Sequence, residues 1–190
     1  MTLQEFLENK FDKNTAKTII ERSDALYNEM CAEQKPRLSK DQYKPAKNKI
    51  LKRISVFKAM REYEDEDKVL AHMKEFYYPK FEKLADMLNK LTGTATGRAV
   101  FRKFFTANLK KDVWKTTVKQ SDKEALVFDI TECIYKSLCD YYDCSKCCEL
   151  FCDGDWMMFG GMQKFKFQRK YTLGYNNSRC DFHFINNSGR

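Results

Sequence analysis

The chain has 190 residues, of which 43% are hydrophobic and 14% aromatic, and its net charge is +8. Only seven glycines and three prolines occur, so this composition excludes a disordered or fibrous chain and predicts a packed core. The length suits one unit. We therefore expect a single α+β domain over residues 1–190, mainly helical in 1–110 and sheet-containing in 111–190.

The positive charge is concentrated in the N-terminal part of the chain. Residues 1–120 hold 26 basic and 17 acidic side chains, whereas residues 121–190 hold 9 and 10. The basic residues are mixed with acidic ones and are not interleaved with aromatic residues that would stack on bases, so we expect a solvated helical surface and no nucleic-acid partner. The sequence contains no run of eighteen apolar residues and no secretory signal, which predicts no membrane partner and a cytoplasmic location. The oligomeric state stays open.

Helical periodicity dominates the N-terminal part, up to about residue 108. A break is predicted at Lys35-Pro36-Arg37, after which Ser39 is suited to cap the next helix. Tyr78-Pro79 is interpreted as a possible helix start, because proline is tolerated in a first helical turn. A turn over residues 92–97 separates the last two predicted helices.

Strand periodicity appears in the C-terminal part. Residues 113–119 and 125–130 are rich in β-branched and aromatic side chains and predict a hairpin, and residues 164–169 and 180–185 alternate and predict a second strand pair. Residues 132–159, between the pairs, return to a helical pattern. The sequence thus predicts an α+β fold in which N-terminal helices pack on a four-stranded, mainly antiparallel sheet with a helical insertion between strand pairs.

Four short blocks in the C-terminal part contain residues suited to chemistry. They are Thr131-x-Cys133-x-Tyr135, Cys152-x-x-Asp155, Arg169-x-x-Thr172 and Cys180-Asp181-Phe182-His183-Phe184. In this order and at this spacing they resemble the L-2-amino-thiazoline-4-carboxylic acid hydrolase family. The chain departs from the family pattern at His183, where the family has arginine, and at Asn176, where it has a glycine that Asn can replace in a turn.

The resemblance implies hydrolysis of a small cyclic amidine, or of a related substrate at a C–N or C–S bond, to a product such as carbamoyl-cysteine. The expected partner is a small-molecule substrate, and we expect neither a cofactor nor a metal. Thiolates attack electrophilic carbon, carboxylates transfer protons and arginine binds anions. The candidate catalytic residues are Cys133, Cys152, Asp155 and Cys180, and the candidate substrate-binding residues are Arg169, Thr172 and Tyr135.

Strand alternation predicts which of these side chains face the interior. Arg169 shares a strand side with Phe167, and a buried arginine needs an acidic partner, either the substrate carboxylate or an internal group such as Asp181. Cys180 lies on the opposite strand face from Asp181 and His183, so we favour Cys180 for the pocket and interpret His183 as a surface or satisfied histidine. With two histidines in the chain, a carboxylate must carry most proton transfer.

Two other classes of function remain open. In the first, the protein is a metal or redox sensor, because part of its cysteine spacing matches that of an iron–sulfur ligand set and zinc is also conceivable. The residues concerned are Cys139, Cys144, Cys147 and Cys148. In the second, the protein binds a small ligand without turnover in an apolar pocket. Its predicted lining is Phe165, Phe167, Phe182, Phe184, Trp156 and Met157.

Overall fold

Helices fill the N-terminal half of the computed structural model, which describes residues 1–189. They are α1 (Leu3–Glu8), α2 (Lys13–Gln34), α3 (Lys40–Pro45), α4 (Leu51–Arg61), α5 (Glu66–Thr92) and α6 (Ala95–Asn108), with a π-helical turn at Ala46–Ile50. Ser39 caps α3 as predicted, since its hydroxyl accepts a hydrogen bond from the backbone N–H of Gln42. The prediction of a helical N-terminal part is confirmed.

The C-terminal part contains the sheet. Its elements are β1 (Trp114–Ser121), β2 (Ala125–Cys133), α7 (Ile134–Tyr141), α8 (Cys148–Phe159), β3 (Phe165–Gln168) and β4 (Cys180–Asn186), with 3-10 turns at Ser145–Cys147 and Leu173–Tyr175. Within residues 1–189, these four strands form one sheet in the order β1-β2-β4-β3. Every neighbouring pair is antiparallel. The predicted α+β fold, with two strand pairs and a helical insertion between them, is confirmed.

Helices occupy most of residues 132–159, as predicted, but they begin later than expected and form two separate elements. Cys133 still belongs to β2, where its neighbours pair with β1, and the helix is interrupted after Tyr141. Asp143 has a φ of 52°, which stops a right-handed helix. The chain therefore turns between α7 and α8.

The helix start predicted at Tyr78-Pro79 is also wrong. Helix α5 continues through Pro79, which lies in its interior. An interior proline costs about 3 kcal/mol because it removes one backbone hydrogen bond and crowds the preceding turn. Here α5 packs along α8, and Gly154 of α8 lets the two helices approach at the Phe81 ring. We attribute the uninterrupted helix to this packing, which local sequence does not reveal.

One face of the sheet is covered by α6 and α8. Phe184 of β4 stacks on Phe165 and contacts the rings of Phe101 in α6 and Phe159 in α8. Phe167 and Phe182 join the same buried cluster. The aromatic face that was considered as a ligand pocket is thus filled by the protein's own side chains. In the described part of the chain, no helix is both long and apolar enough to traverse a bilayer.

Candidate active site

The four sequence blocks converge where α7, α8 and the ends of the strands meet. In the sheet, Ile130 of β2 pairs with Cys180 of β4, so the end of β2 with Cys133 lies beside the start of β4. The segment between β3 and β4 then brings Thr172 onto Cys180, with 3.4 Å between the hydroxyl oxygen and the sulfur. Antiparallel pairing explains why residues almost fifty positions apart become neighbours.

Arg169 and Asp155 form the charged centre of this site. The guanidinium donates from Nη1 to Asp155 Oδ2 at 2.7 Å and from Nη2 to the Cys152 carbonyl at 2.7 Å. The Arg169 side chain is 2% exposed, and its guanidinium carbon lies 5.3 Å from the Phe182 ring centroid. Of the carboxylate partners left open by the sequence, the structure therefore pairs Arg169 with Asp155 of α8 rather than with Asp181.

The ionisation of Asp155 reflects two opposing effects. Burial raises the pKa of its carboxyl group to about 6, while the nearby Arg169 guanidinium lowers it. A group with such a pKa exchanges protons readily near neutral pH. Asp155 therefore has the ionisation behaviour of a general acid or base, and Arg169 holds it in place.

The Cys180 sulfur contacts two polar groups. Its sulfur accepts the backbone N–H of Leu173 at 3.2 Å and lies next to the Thr172 hydroxyl. Burial raises the pKa of the Cys180 thiol, whereas the Thr172 hydroxyl, the Leu173 N–H and the Arg169 charge lower it. These three groups stabilise a thiolate once a base removes the proton.

Cys152 and Cys148 are adjacent on α8, with their sulfurs 4.0 Å apart. The hydrogen bond to Cys148 and burial both raise the pKa of the Cys152 thiol, while hydrogen bonds with the Cys139 and Cys152 thiols lower the pKa of Cys148. Gly174 covers this pair, since a Cβ at that position would lie 2.5 Å from the Cys152 sulfur. The absence of a side chain at residue 174 therefore permits the close approach of the turn to both thiols.

Cys133 lies on the other side of the site, at the N-terminus of α7. Burial raises the pKa of its thiol to about 12, although the backbone N–H groups of Lys136 and Tyr135 lower it. Cys133 also lines a cleft of about 600 Å³, together with Trp114 and two cationic side chains, Arg37 and Lys115. Of the three candidate nucleophiles, it is the one that lines this cleft.

Tyr135, one of the candidate substrate-binding residues, is half-buried between two aromatic rings. Its ring is stacked parallel to Trp114, with centroids 6.4 Å apart, and meets Phe151 edge-on at 5.0 Å. Burial raises the pKa of its hydroxyl to about 12, and nearby Cys133 and Asp155 add to the increase. Tyr135 thus keeps its proton at neutral pH and can act as a neutral hydrogen-bond donor.

Asp181 has a supporting position on the opposite face of β4 from Cys180. Its Oδ1 accepts the backbone N–H groups of Lys170 at 3.0 Å and Tyr171 at 2.5 Å. These bonds hold the segment that carries Arg169 and Thr172. His183 shares this face of β4 and does not lie beside Cys180, in agreement with the alternation of the strand.

The cysteines proposed for a metal site lie in the helical core. Cys139, Cys144, Cys147 and Cys148 are each at most 1% exposed, and the Cys144 thiol donates to the Cys139 carbonyl. All eight cysteines are free. Among residues 1–189, no group of three or more histidine, cysteine, aspartate or glutamate side chains is arranged to hold a metal ion.

Three residues near the site were missed by sequence reasoning. Cys148 was assigned only to the metal alternative, and Gly174 carries no signal that distinguishes it from an ordinary turn glycine. Arg53 offers a weak signal, because it lies three residues after Ile50 and four before Phe57 and therefore shares the apolar face of its helix. A charged residue on such a face calls for a specific partner.

These features define an α+β protein whose helices and strand ends bring free thiols, a carboxylate of raised pKa and a buried guanidinium into one site. The family model of L-2-amino-thiazoline-4-carboxylic acid hydrolase matches residues 45–184. The chain belongs to this family, whose name describes a hydrolase, and the match includes all four blocks. No curated protein and no solved structure matches the chain.

Proposed function

We propose that the protein is a hydrolase that opens small cyclic amidines, with L-2-amino-thiazoline-4-carboxylate as the substrate and carbamoyl-cysteine as the product. The observation that carries this proposal is the meeting of the Asp155–Arg169 pair with the thiols of Cys152 and Cys180 around Thr172. A nucleophile and a proton-transfer group are the groups that this reaction needs.

The proposed reaction proceeds in two balanced steps. In the first, a thiolate attacks the amidine carbon, the bond from that carbon to the ring sulfur breaks, and the leaving sulfur takes up a proton. In the second, water adds to the same carbon, the enzyme thiol leaves, and the carbon becomes the carbonyl of the carbamoyl group. The sum is the addition of one water molecule, with no oxidation or reduction.

Proton transfer in this scheme is assigned to Asp155. With a pKa of about 6, its carboxylate is mostly ionised at neutral pH and accepts a proton from the attacking thiol. The protonated group then donates to the leaving sulfur. Arg169 acts as a positioning residue, because its bonds to Asp155 and to the Cys152 carbonyl fix the carboxylate against α8.

The nucleophile is one of Cys133, Cys152 and Cys180. Their pKa values are raised, so each is a neutral thiol at rest and needs a base. Cys180 has the donors that best stabilise a thiolate, Cys152 lies one helical turn from Asp155, and Cys133 lines the open cleft. These differences make single substitutions informative.

The test is mass-spectrometric detection of carbamoyl-cysteine after incubation of reduced protein with L-2-amino-thiazoline-4-carboxylate. The variants Cys133→Ser, Cys152→Ser and Cys180→Ser are compared with wild type, and Cys31→Ser on α2, outside the four blocks, serves as a matched control. We expect product with wild type and the control, and a loss of about a thousandfold or more in at least one site variant.

Each outcome of this test has a distinct meaning. Full activity in all three site variants rejects the cysteine mechanism but leaves a hydrolase in which Asp155 activates water. The absence of product with folded, reduced wild-type protein rejects this substrate. Retained binding of the same compound without product identifies a ligand-binding module instead.

A further inference from the structure

Arg53 of α4 is a half-buried cation enclosed by aromatic rings. Its guanidinium carbon lies 4.6 Å from the ring centroid of Tyr77, 5.3 Å from that of Phe151 and 6.0 Å from that of Phe81. Such contacts stabilise a cation and hold the plane of the guanidinium, but they provide no acceptor for its N–H groups.

In the described part of the chain, this guanidinium has no anionic partner. Arg22, Arg61 and Arg169 each form an ion pair with a carboxylate. Within residues 1–189, Arg53 forms no such pair, and its buried Nε has no hydrogen-bond partner. A buried donor without a partner costs roughly 1–3 kcal/mol, so its retention calls for an explanation.

A second unpartnered donor, among the described residues, lies beside one of these rings. The hydroxyl of Tyr78 is buried and, among the described residues, has no hydrogen-bond partner. Its ring packs against Phe81, one of the rings around Arg53, with centroids 5.8 Å apart. A guanidinium and a hydroxyl that contact the same ring, and that have no acceptor at these atoms among the described residues, are suited to an anion with several lone pairs, such as a carboxylate.

The aromatic rings around Arg53 adjoin the candidate active site through α8. Phe151, which contacts Arg53, is the residue before Cys152 and lies one helical turn from Asp155. Tyr135 connects the two regions as well, because its ring contacts Phe151. The pKa of its hydroxyl is raised by Cys133 and Asp155 and lowered by Arg53. Phe151 and Tyr135 therefore link the surroundings of Arg53 to the residues of the candidate active site.

We propose that Arg53, together with the Tyr78 hydroxyl, binds the carboxylate group of the substrate. The inference rests on the proposed function for the identity of the rest of the substrate, and it names the residue that recognises the negative charge. Arg169 is less suited to that role, because Asp155 already neutralises its charge and its side chain is almost fully buried. Among the residues that the structure describes, Arg53 has no anionic partner, and its fork of donors matches a carboxylate.

The test is calorimetric measurement of binding for two ligands that differ only in the anionic group. One is L-2-amino-thiazoline-4-carboxylate, and the other is 2-amino-thiazoline, which keeps the ring and lacks the carboxylate. We expect wild type to prefer the first ligand by about tenfold or more. Arg53→Gln should abolish this preference and leave affinity for the second ligand unchanged. Tyr78→Phe should reduce the preference by a few-fold, and the control Arg22→Gln should leave it intact.

The results also separate this inference from the proposed function. Preferential binding that is lost in Arg53→Gln, without any product, supports the role of Arg53 and rejects the hydrolase proposal. If product forms and Arg53→Gln still prefers the ligand with the carboxylate, the hydrolase proposal is supported and the role of Arg53 is rejected. Equal or undetectable binding of both ligands by folded wild type overturns the role of Arg53.

Folding of the variants is checked by circular dichroism. If Arg53→Gln does not fold, Arg53→Met takes its place, because methionine keeps the apolar contact with the rings and removes the charge. Failure of both variants to fold would show that the cation is needed for the structure, and it would overturn a role in binding.

Discussion

Arg169 and Arg53 are two interior guanidiniums in contrasting environments. Arg169 has a carboxylate, a backbone carbonyl and aromatic rings around it, and its side chain is 2% exposed. Arg53 has aromatic rings but no carboxylate among the described residues, and its Nε has no acceptor. A cation that is fully paired contributes to folding, whereas a cation that is enclosed but unpaired costs stability and is available to a ligand.

The largest expected effect is the loss of stability in Arg169→Gln. This change leaves Asp155 and the Cys152 carbonyl without their donor, and breaking such a buried pair should cost about 3 kcal/mol in the free energy of unfolding. Urea denaturation at neutral pH measures the cost. The control Arg22→Gln breaks an exposed ion pair with Glu62 and should cost less than about 1 kcal/mol. Equal losses in the two variants would contradict the expected difference between a buried ion pair and an exposed one.

The second prediction concerns pH and Asp155. Its pKa is raised from 3.8 to about 6 on folding, so the folded state binds the proton more tightly than the unfolded state. The associated stability is therefore fully present below about pH 4 and is lost as the pH rises through about 6, by on the order of 3 kcal/mol. Asp155→Asn cannot titrate and should lack this contribution.

The measurement for Asp155 is the difference in unfolding free energy between wild type and Asp155→Asn at several pH values. We expect the stability of wild type relative to the variant to fall between pH 4 and pH 6. A difference that stays constant over this range would show that burial does not raise the pKa of Asp155.

A smaller effect is expected for Gly174→Ala, which tests how closely the turn covers the thiols. The new Cβ would lie 2.5 Å from the Cys152 sulfur and 3.5 Å from that of Cys148, so the thiols or the turn must move, at a cost of about 1–3 kcal/mol. The rate of thiol modification should also increase. Gly161→Ala is the matched control, since a Cβ there meets nothing within 4 Å. If both variants lose the same stability and show the same rate of thiol modification, residue 174 does not lie in close contact with the thiols.

The smallest effect on stability is expected for Arg53→Gln. The loss of cation–aromatic contacts costs about 1 kcal/mol, but the same change removes a charge whose donors lack acceptors. The two contributions oppose each other, so thermal unfolding should shift by only a few degrees in either direction. A loss as large as that of Arg169→Gln would show that Arg53 is structural, and it would remove the contrast on which its proposed role depends.

Local patterns predicted much of the architecture because they depend on neighbours in the sequence. Alternation predicted β3 and β4 with their buried face, and Ser39 marked the start of α3. Asn176 was expected to replace a turn glycine, and it adopts φ of 60° in the left-handed region. The four blocks indicated the family, and the family model matches the chain.

Contacts between distant segments were decided only by the tertiary structure. Strand alternation placed Arg169 inside, but whether it meets Asp155 or Asp181 depends on how α8 packs across the strands. The continuous α5 through Pro79 depends on α8 in the same way. The sequence by itself thus determined element types and the residue chemistry available, because backbone preferences are local. The tertiary structure decided which charges are paired, because pairing and burial depend on distances between segments far apart in the chain.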